Sequence, residues 1–440
     1  MVGRRLTLVL TFALAASWTL PALADDEGGL RFGGHIKGFA FQQIHTPSEL
    51  DRFGSRLQLN ARGGDGEPAR FFAAVDFEID SRLTDAAGER RGTRLDVYPV
   101  EMYLALSKGP VDLKLGQQFI FWGRTTWVNP TDVITAWDYP NMASEIEDYR
   151  VAPVAARLNW YVFDELMLDL VWLPRFSPHR LGASAPGTMA GLPVTEGEPA
   201  SPRATPENGE FGLRLSHTVS SWAFDWALSA YKGFEKMPVY TVEPIMDMTS
   251  MPPAPTGFLW RRRHDPLLVF GGDFSKAFGS FVLKGEGAWK RTHDRDGTDP
   301  NVRNSRLEYV LGLDYVFSED FDVGVQYIGK LYLQYDEAAE RAELARRYGG
   351  MAPPFVERRR SDEASLRLNL ALTGSLGAQI LGLYNFSYED FFALGFVWWE
   401  PADALKLYVG AVAFGGSEPM TPLAMQEGNS RVFVEVKYSF

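Results

Sequence analysis

Hydrophobic residues recur at every second position along most of this chain. From Phe71 to Ile79 the odd positions read Phe, Ala, Val, Phe and Ile, while Asp76, Glu78 and Asp80 fall on the even ones. A period of two is the signature of a strand with one apolar face. Similar rows follow as Tyr98/Val100/Met102/Leu104/Leu106, Val154/Ala156/Leu158/Trp160/Val162 and Leu166/Leu168/Leu170/Trp172. The second half adds Leu307/Tyr309/Leu311/Leu313/Tyr315/Phe317, Leu366/Leu368/Leu370/Leu372 and Val432/Val434/Val436/Tyr438/Phe440. Helical spacing stands out only over 336–348, where Glu and Arg alternate at the distance that supports a short helix.

The spacers between rows alternate in length. Short ones such as Ser107-Lys108-Gly109-Pro110, Phe163-Asp164-Glu165 and Ser318-Glu319-Asp320 take turns with long polar stretches at about 81–93, 124–150, 176–207, 235–264, 336–358 and 415–430. Tight turns at one end and long loops at the other are how outer-membrane barrels are built. A soluble β-sandwich would not sort its connections by end, nor carry rows of 10–14 residues. The pattern predicts an all-β fold, a transmembrane antiparallel up-and-down β-barrel of about 18 strands, with 16 as the fallback count. Strand starts are expected near 32, 53, 69, 94, 111, 151, 165, 208, 222, 266, 280, 305, 321, 362, 376, 390, 403 and 430. Hydrocarbon tolerates only sheets that close, because an open edge leaves backbone amides and carbonyls unpaired. The apolar row then faces lipid, and Tyr98, Trp160, Trp172, Trp222 and Tyr438 fall where aromatic girdles meet the headgroups. Loops 176–207 and 237–257, rich in Pro, Gly, Ala and Met, read as aperiodic external loops, partly folded inward.

Charge and composition narrow the function. Residues 1–24 combine Arg4 and Arg5, an apolar run Leu6–Leu20 and Ala22-Leu23-Ala24, the order of a cleaved secretory signal peptide. The expected mature chain is residues 25–440, exported to the outer membrane of a Gram-negative bacterium. Removing two arginines from a net charge of −12 gives −12 − 2 = −14. An acidic chain without a basic tract excludes nucleic acid as a partner. With 0 Cys there is no thiol nucleophile and no Cys-ligated metal. No His pair lies at i, i+4, and no His is followed by Ser two residues on, so neither a metal site nor the Ser–His pair of a barrel lipase is expected, and no cofactor. Ser216 and His217 are neighbours and so point to opposite faces.

The last residues, Val432-Phe433-Val434-Glu435-Val436-Lys437-Tyr438-Ser439-Phe440, resemble the terminal strand of Gram-negative outer-membrane β-barrels. That resemblance implies recognition by the barrel-assembly machinery, with Tyr438 and Phe440 as the assembly signal. Gly116-Gln117-Gln118-Phe119-Ile120-Phe121-Trp122-Gly123-Arg124, with Asn129-Pro130-Thr131-Asp132 and Trp137-Asp138-Tyr139, is similar to a group of large outer-membrane barrels sharing a Trp-Gly-x strand end and an Asn-Pro-x-Asp loop. The resemblance implies transport, for some members in association with inner-membrane export pumps or uptake of hydrophobic compounds.

By itself Asn-Pro-x-Asp is a turn former, since Asn129 and Asp132 can cap amides and Pro130 fixes φ. The functional expectation is that the 124–150 loop folds into the lumen as a constriction, with Trp122, Arg124, Trp127, Asn129, Asp132, Trp137, Asp138 and Tyr139 meeting the solute. Opposite parity to the lipid rows places Arg56, Arg62, Arg70, Asp76, Glu78 and Arg157 inside, either as cross-strand ion pairs holding the wall or as a charge ladder that filters solutes. The sequence thus predicts a channel or exporter component for small solutes, not an enzyme, with outer-membrane lipid as its surroundings. The alternatives are a gated or lateral transporter of hydrophobic compounds and a lipid-modifying barrel enzyme.

Overall fold

The structure, a computed structural model, describes residues 29–44, 50–64, 66–80, 94–181, 188–189, 191–299, 301–347, 356–418 and 421–440. The expected signal peptide and the 81–93 connection lie outside the described residues. Eighteen strands form one antiparallel sheet. They are β1 (Arg31–Gln43), β2 (Leu50–Gly63), β3 (Ala69–Asp80), β4 (Arg94–Lys108), β5 (Val111–Gln117), β6 (Val154–Phe163), β7 (Leu166–Leu173), β8 (Glu210–Val219) and β9 (Phe224–Phe234). The second half comprises β10 (Pro266–Phe278), β11 (Phe281–Arg291), β12 (Arg306–Ser318), β13 (Phe321–Tyr332), β14 (Arg360–Thr373), β15 (Leu376–Asn385), β16 (Asp390–Ala402), β17 (Leu405–Gly416) and β18 (Arg431–Ser439). Every strand starts within three residues of its expected position.

Each strand pairs with its sequence neighbour, and β18 pairs with β1 to close the barrel. The closure runs from Gln43↔Arg431 to His35↔Ser439 and ends with Gly34 and Phe440 exchanging two backbone hydrogen bonds of 3.0 Å. Connection length sorts by end as expected, with one departure: β15 and β16 join at the loop end through four residues, 386–389.

Parity holds along most strands but fails on β4. The pairing of β3 with β4 slips between Ala74 and Val75, so Asp76 faces Tyr98 while Ala74 faces Glu101. One extra residue on β4 inverts every side chain beyond it. Leu95 and Val97 therefore face outward and Tyr98 faces in, where its hydroxyl donates to Glu78 over 2.9 Å. Tyr98 is not a girdle residue. Trp160 and Trp172 do face outward, and Trp222 lies exposed in the single-turn Ser220–Trp222 between β8 and β9.

The long loops hold more order than their sequence suggests. Val239–Asp247 and Ala254–Arg263 form a hairpin that continues through Leu192–Glu196 and Thr188–Met189 into a four-stranded sheet. Tyr240 stacks on Trp260 across it at 4.4 Å. Helix α1 (Glu337–Arg347) forms within the expected span, its first turn capped by the Asp336 carboxylate, which accepts from the amides of Ala338 and Ala339.

Candidate functional site

After Gln117 the chain leaves the wall and crosses the lumen before rejoining it at Val154. Its first half is fastened to β6–β11. The Trp122 indole donates to Asp169 over 3.1 Å, and Arg157 holds the same carboxylate at 2.8 Å. Opposite the ring lies Gly212, where a Cβ would come within 2.7 Å of Trp122, so only glycine leaves room for it. Arg124 binds Asp273 at 3.0 Å and Asp225 at 3.4 Å, and Arg214 meets Asp273 at 2.7 Å.

Between these contacts Glu286 of β11 is the anchor. Its carboxylate accepts from the amides of Arg124 (3.1 Å) and Thr131 (2.7 Å) and from the hydroxyls of Thr125 (3.0 Å) and Thr131 (2.7 Å). The chain wraps it through Gly123, whose φ of +97° suits glycine and whose missing Cβ would lie 2.6 Å from the carboxylate. Asn129 completes the wrap. Its side-chain oxygen lies 2.7 Å from the Thr125 hydroxyl, and its carbonyl accepts the Asp132 amide at 3.1 Å, closing a turn over Asn129-Pro130-Thr131-Asp132. Asp132 pairs with Arg150 on the returning strand.

In mid-lumen the loop carries an aromatic cluster. Trp127 stacks on Phe392 of β16 at 5.5 Å, and Trp137 stacks on Tyr139 at 6.0 Å and Tyr149 at 5.7 Å. The Arg150 guanidinium lies between two rings, 4.3 Å from Trp137 and 4.9 Å from Phe121. Asp138 pairs with Arg180 at 2.9 Å, and the Trp137 amide donates to Nδ1 of His179 at 3.0 Å. Burial, with Lys236 nearby, pushes the His179 imidazole down to about 3, so it is neutral at ordinary pH and its ring nitrogen can accept.

The second half is fastened to the opposite wall. Lys37 of β1 meets Glu145 (3.2 Å), Glu435 (3.1 Å) and Asp148. Asp148 also pairs with Arg56, which holds Glu78 at 2.7 Å and Asp76 at 3.4 Å. Lys437 reaches Glu145 at 2.8 Å, and Arg52 ties Asn141 to Asp80 and Glu78. Burial by itself would lift the Asp148 carboxyl, but Lys37 and Arg56 hold it well below the usual carboxylate range.

The expected constriction residues thus fall into two kinds. Trp122, Asp132 and Asp138 have side chains buried in contacts that fix the loop, whereas Arg124, Trp127, Asn129, Trp137 and Tyr139 remain partly accessible. The expected ladder divides as well. Arg56, Asp76 and Glu78 form one cluster, Arg157 belongs to Asp169 on the far wall, and Arg62 and Arg70 lie exposed toward the short-turn end, Arg70 donating to Ser107 at 3.0 Å. Lys37, Glu145 and Asp148 were not foreseen. Lys37 sits on β1, where both parities carry apolar residues and no polar row stands out.

The lumen is also apolar along one side. Leu381, Leu383, Phe392, Leu394, Tyr408, Val412, Phe414 and Phe433 of β15–β18 form a buried cluster with Phe39, Phe41, Met142 and Tyr149, against which Trp127 and Trp137 pack.

Known structures match this architecture at low identity. OccAB4 of Acinetobacter baumannii superposes with a TM-score of 0.54 at 9% identity, covering 96% of this chain and 100% of that one. A mutant of the Rh. blastica porin matches at a TM-score of 0.40 and 12% identity, over 94% of this chain and 100% of its own. No curated protein matches by sequence. The model of the family described as "Protein of unknown function (DUF1302)" matches residues 51–393, and the chain belongs to that family.

Proposed function

We propose that the protein is a channel of the Gram-negative outer membrane, placed there after removal of residues 1–24, and that the loop from Gln118 to Pro153 is its constriction. The observation that carries this reading is the fastening of that loop at both sides of the lumen, by Glu286 on one wall and by Lys37 and Arg56 on the other. A loop held at both ends narrows a wide barrel to the space beside it, and the groups beside it decide what passes. Arg124, Trp127, Asn129, Trp137 and Tyr139 are the residues that would meet a small solute. The Tyr438–Phe440 end would be read by the barrel-assembly machinery, and an export pump of the inner membrane is the partner for an outward route.

A second reading, passage of hydrophobic compounds, is favoured by one specific feature. Porin-like selectivity needs polar linings, yet the inner faces of β15–β18 present leucine, valine and phenylalanine to the lumen. Planar-bilayer recordings test the channel itself. Stepwise, ohmic conductance whose size changes in Arg124→Ala or Trp137→Ala supports it, and full-length folded protein that never conducts overturns it.

A further inference from the structure

The wall is stepped where the constriction loop departs. β4 is 15 residues long, but its partner β5 has 7, and the pairing ends at Met102↔Gln117. On the next strand the pairing ends at the same level, Gln117↔Val154, because β6 also turns inward there. Among the described residues no strand pairs with the β5-facing edge of β4 above Met102. A tilted strand of seven residues rises about 18 Å against an apolar belt of about 25 Å. At the level of the outer leaflet the upper part of β4 therefore has no neighbouring strand on that side among the described residues, and such an edge persists in a membrane only beside protein or a cavity. Two polar contacts dress it: Gln117 donates to the Pro99 carbonyl at 3.0 Å, and the Phe119 amide donates to Glu101 at 2.9 Å. Pro99, which has no amide to offer, suits such an edge. Outside, Leu95 and Val97 are 62% and 57% exposed.

Aromatic rings lead inward from the step. Phe119 stacks on Phe121 at 5.7 Å, Phe121 is 48% exposed, and beyond it follow Arg150, Trp137, Trp127 and Phe392 in successive ring contacts. That path ends on the apolar inner wall.

We propose that the step above Gln117 and Val154 is a lateral portal, through which an apolar ring-containing molecule dissolved in the outer leaflet exchanges with the lumen along Phe119, Phe121, Trp137 and Trp127. The proposal rests on the placement of the barrel in the outer membrane and deepens the second functional reading. Lipid packs against Leu95 and Val97, and a molecule that partitions there reaches Phe121 without crossing the loop side of the barrel.

The natural absence of cysteine makes the test clean. Single-cysteine variants Val97→Cys, Phe121→Cys and Asp112→Cys, labelled with a small fluorophore, go into vesicles of phosphatidylcholine brominated on the acyl chain. Val97→Cys reports lipid contact, and Asp112→Cys sits on the inner face behind the paired wall. The portal requires bromolipid quenching at Phe121→Cys at least threefold stronger than at Asp112→Cys, relieved by added N-phenylnaphthylamine. Equal quenching at Phe121→Cys and Asp112→Cys overturns it, and so does disulfide dimerisation of unlabelled Val97→Cys under a mild oxidant such as copper–phenanthroline, which would make the step a contact between two copies. Should Phe121→Cys fold poorly, Phe119→Cys carries the same comparison. Conductance measured on the same preparations keeps the readings apart: conducting protein without quenching sinks the portal alone, and quenching without conductance sinks the channel alone.

Discussion

At the residue scale, one buried carboxylate fastens the loop proposed as the constriction. Glu286 collects amide and hydroxyl donors from Arg124, Thr125 and Thr131, and each hydrogen bond to a charged acceptor is worth about 1.5–3 kcal/mol. Glu286→Gln keeps the shape but replaces an acceptor oxygen with a donor facing donors. The expected outcome is a loop that trypsin cleaves at Arg124 or Arg150 at least tenfold faster, with a matching rise in current fluctuations; wild-type cleavage rates would remove Glu286 from that role. A second carboxylate sets a pH window at the rim that carries the long loops. Burial would raise Glu235, but Arg306, Arg303 and Lys290 bring it down to about 2 from 4.5. A depressed carboxylate stabilises the fold above its ordinary value and loses that contribution as pH falls toward its folded value. The melting temperatures of wild type and Glu235→Gln should therefore differ most at neutral pH and converge between about pH 4.5 and 2, as thermal denaturation in detergent would show.

At the scale of strands and loops, the alternation of apolar residues made the barrel legible, and the places where it misled have physical causes. A β-bulge shifts parity without any mark in residue type, so Tyr98 looked lipid-facing although it bonds Glu78 inside. On β1 the rule that apolar means lipid-facing fails because Phe39 and Phe41 face a packed interior, which hides Lys37 among apolar neighbours. The turn at Asn129-Pro130-Thr131-Asp132 was visible, but the anchors of its loop lie far away in sequence: Glu286 is 155 positions from Thr131, and Lys37 is 111 from Asp148. Closure makes a further prediction. Phe440 supplies both backbone hydrogen bonds to Gly34, and an unsatisfied backbone group costs about 1–3 kcal/mol. Deleting Phe440 should lower the folded fraction recovered on refolding, read as the heat-modifiable band on a gel. Phe440→Leu, which keeps the backbone pairing, should restore most of it; if Leu and the deletion fail alike, the ring rather than the closing rung is what assembly needs.

Across the whole molecule the lumen is two-sided. Ion pairs line β1–β3 and β6–β11, whereas β15–β17 turn an apolar patch of Leu381, Leu383, Phe392, Leu394, Val412 and Phe414 inward, and the loop spans the space between with Trp127 stacked on Phe392. Water gains nothing from that apolar face, and burying a phenylalanine ring is worth about 1.5–3 kcal/mol, with about 0.5–1.5 kcal/mol more from a stacked partner. An aromatic solute that replaces one ring of the Trp127–Phe392 pair recovers part of this energy, while a sugar of the same size recovers none. Naphthalene-type compounds should therefore reduce the ionic current in a saturable way. Phe392→Ala should weaken that block about tenfold to thirtyfold, the equivalent of about 1.4–2 kcal/mol. Because Phe392 carries no charge and is 3% exposed, the same variant should leave cation–anion selectivity unchanged. A block that survives Phe392→Ala would place aromatic solutes on the charged side of the lumen. Parallel loss of selectivity would instead show that the variant had moved the whole loop, because Trp127, which stacks on Phe392, and Arg124, which binds Asp273, lie on one short segment of it.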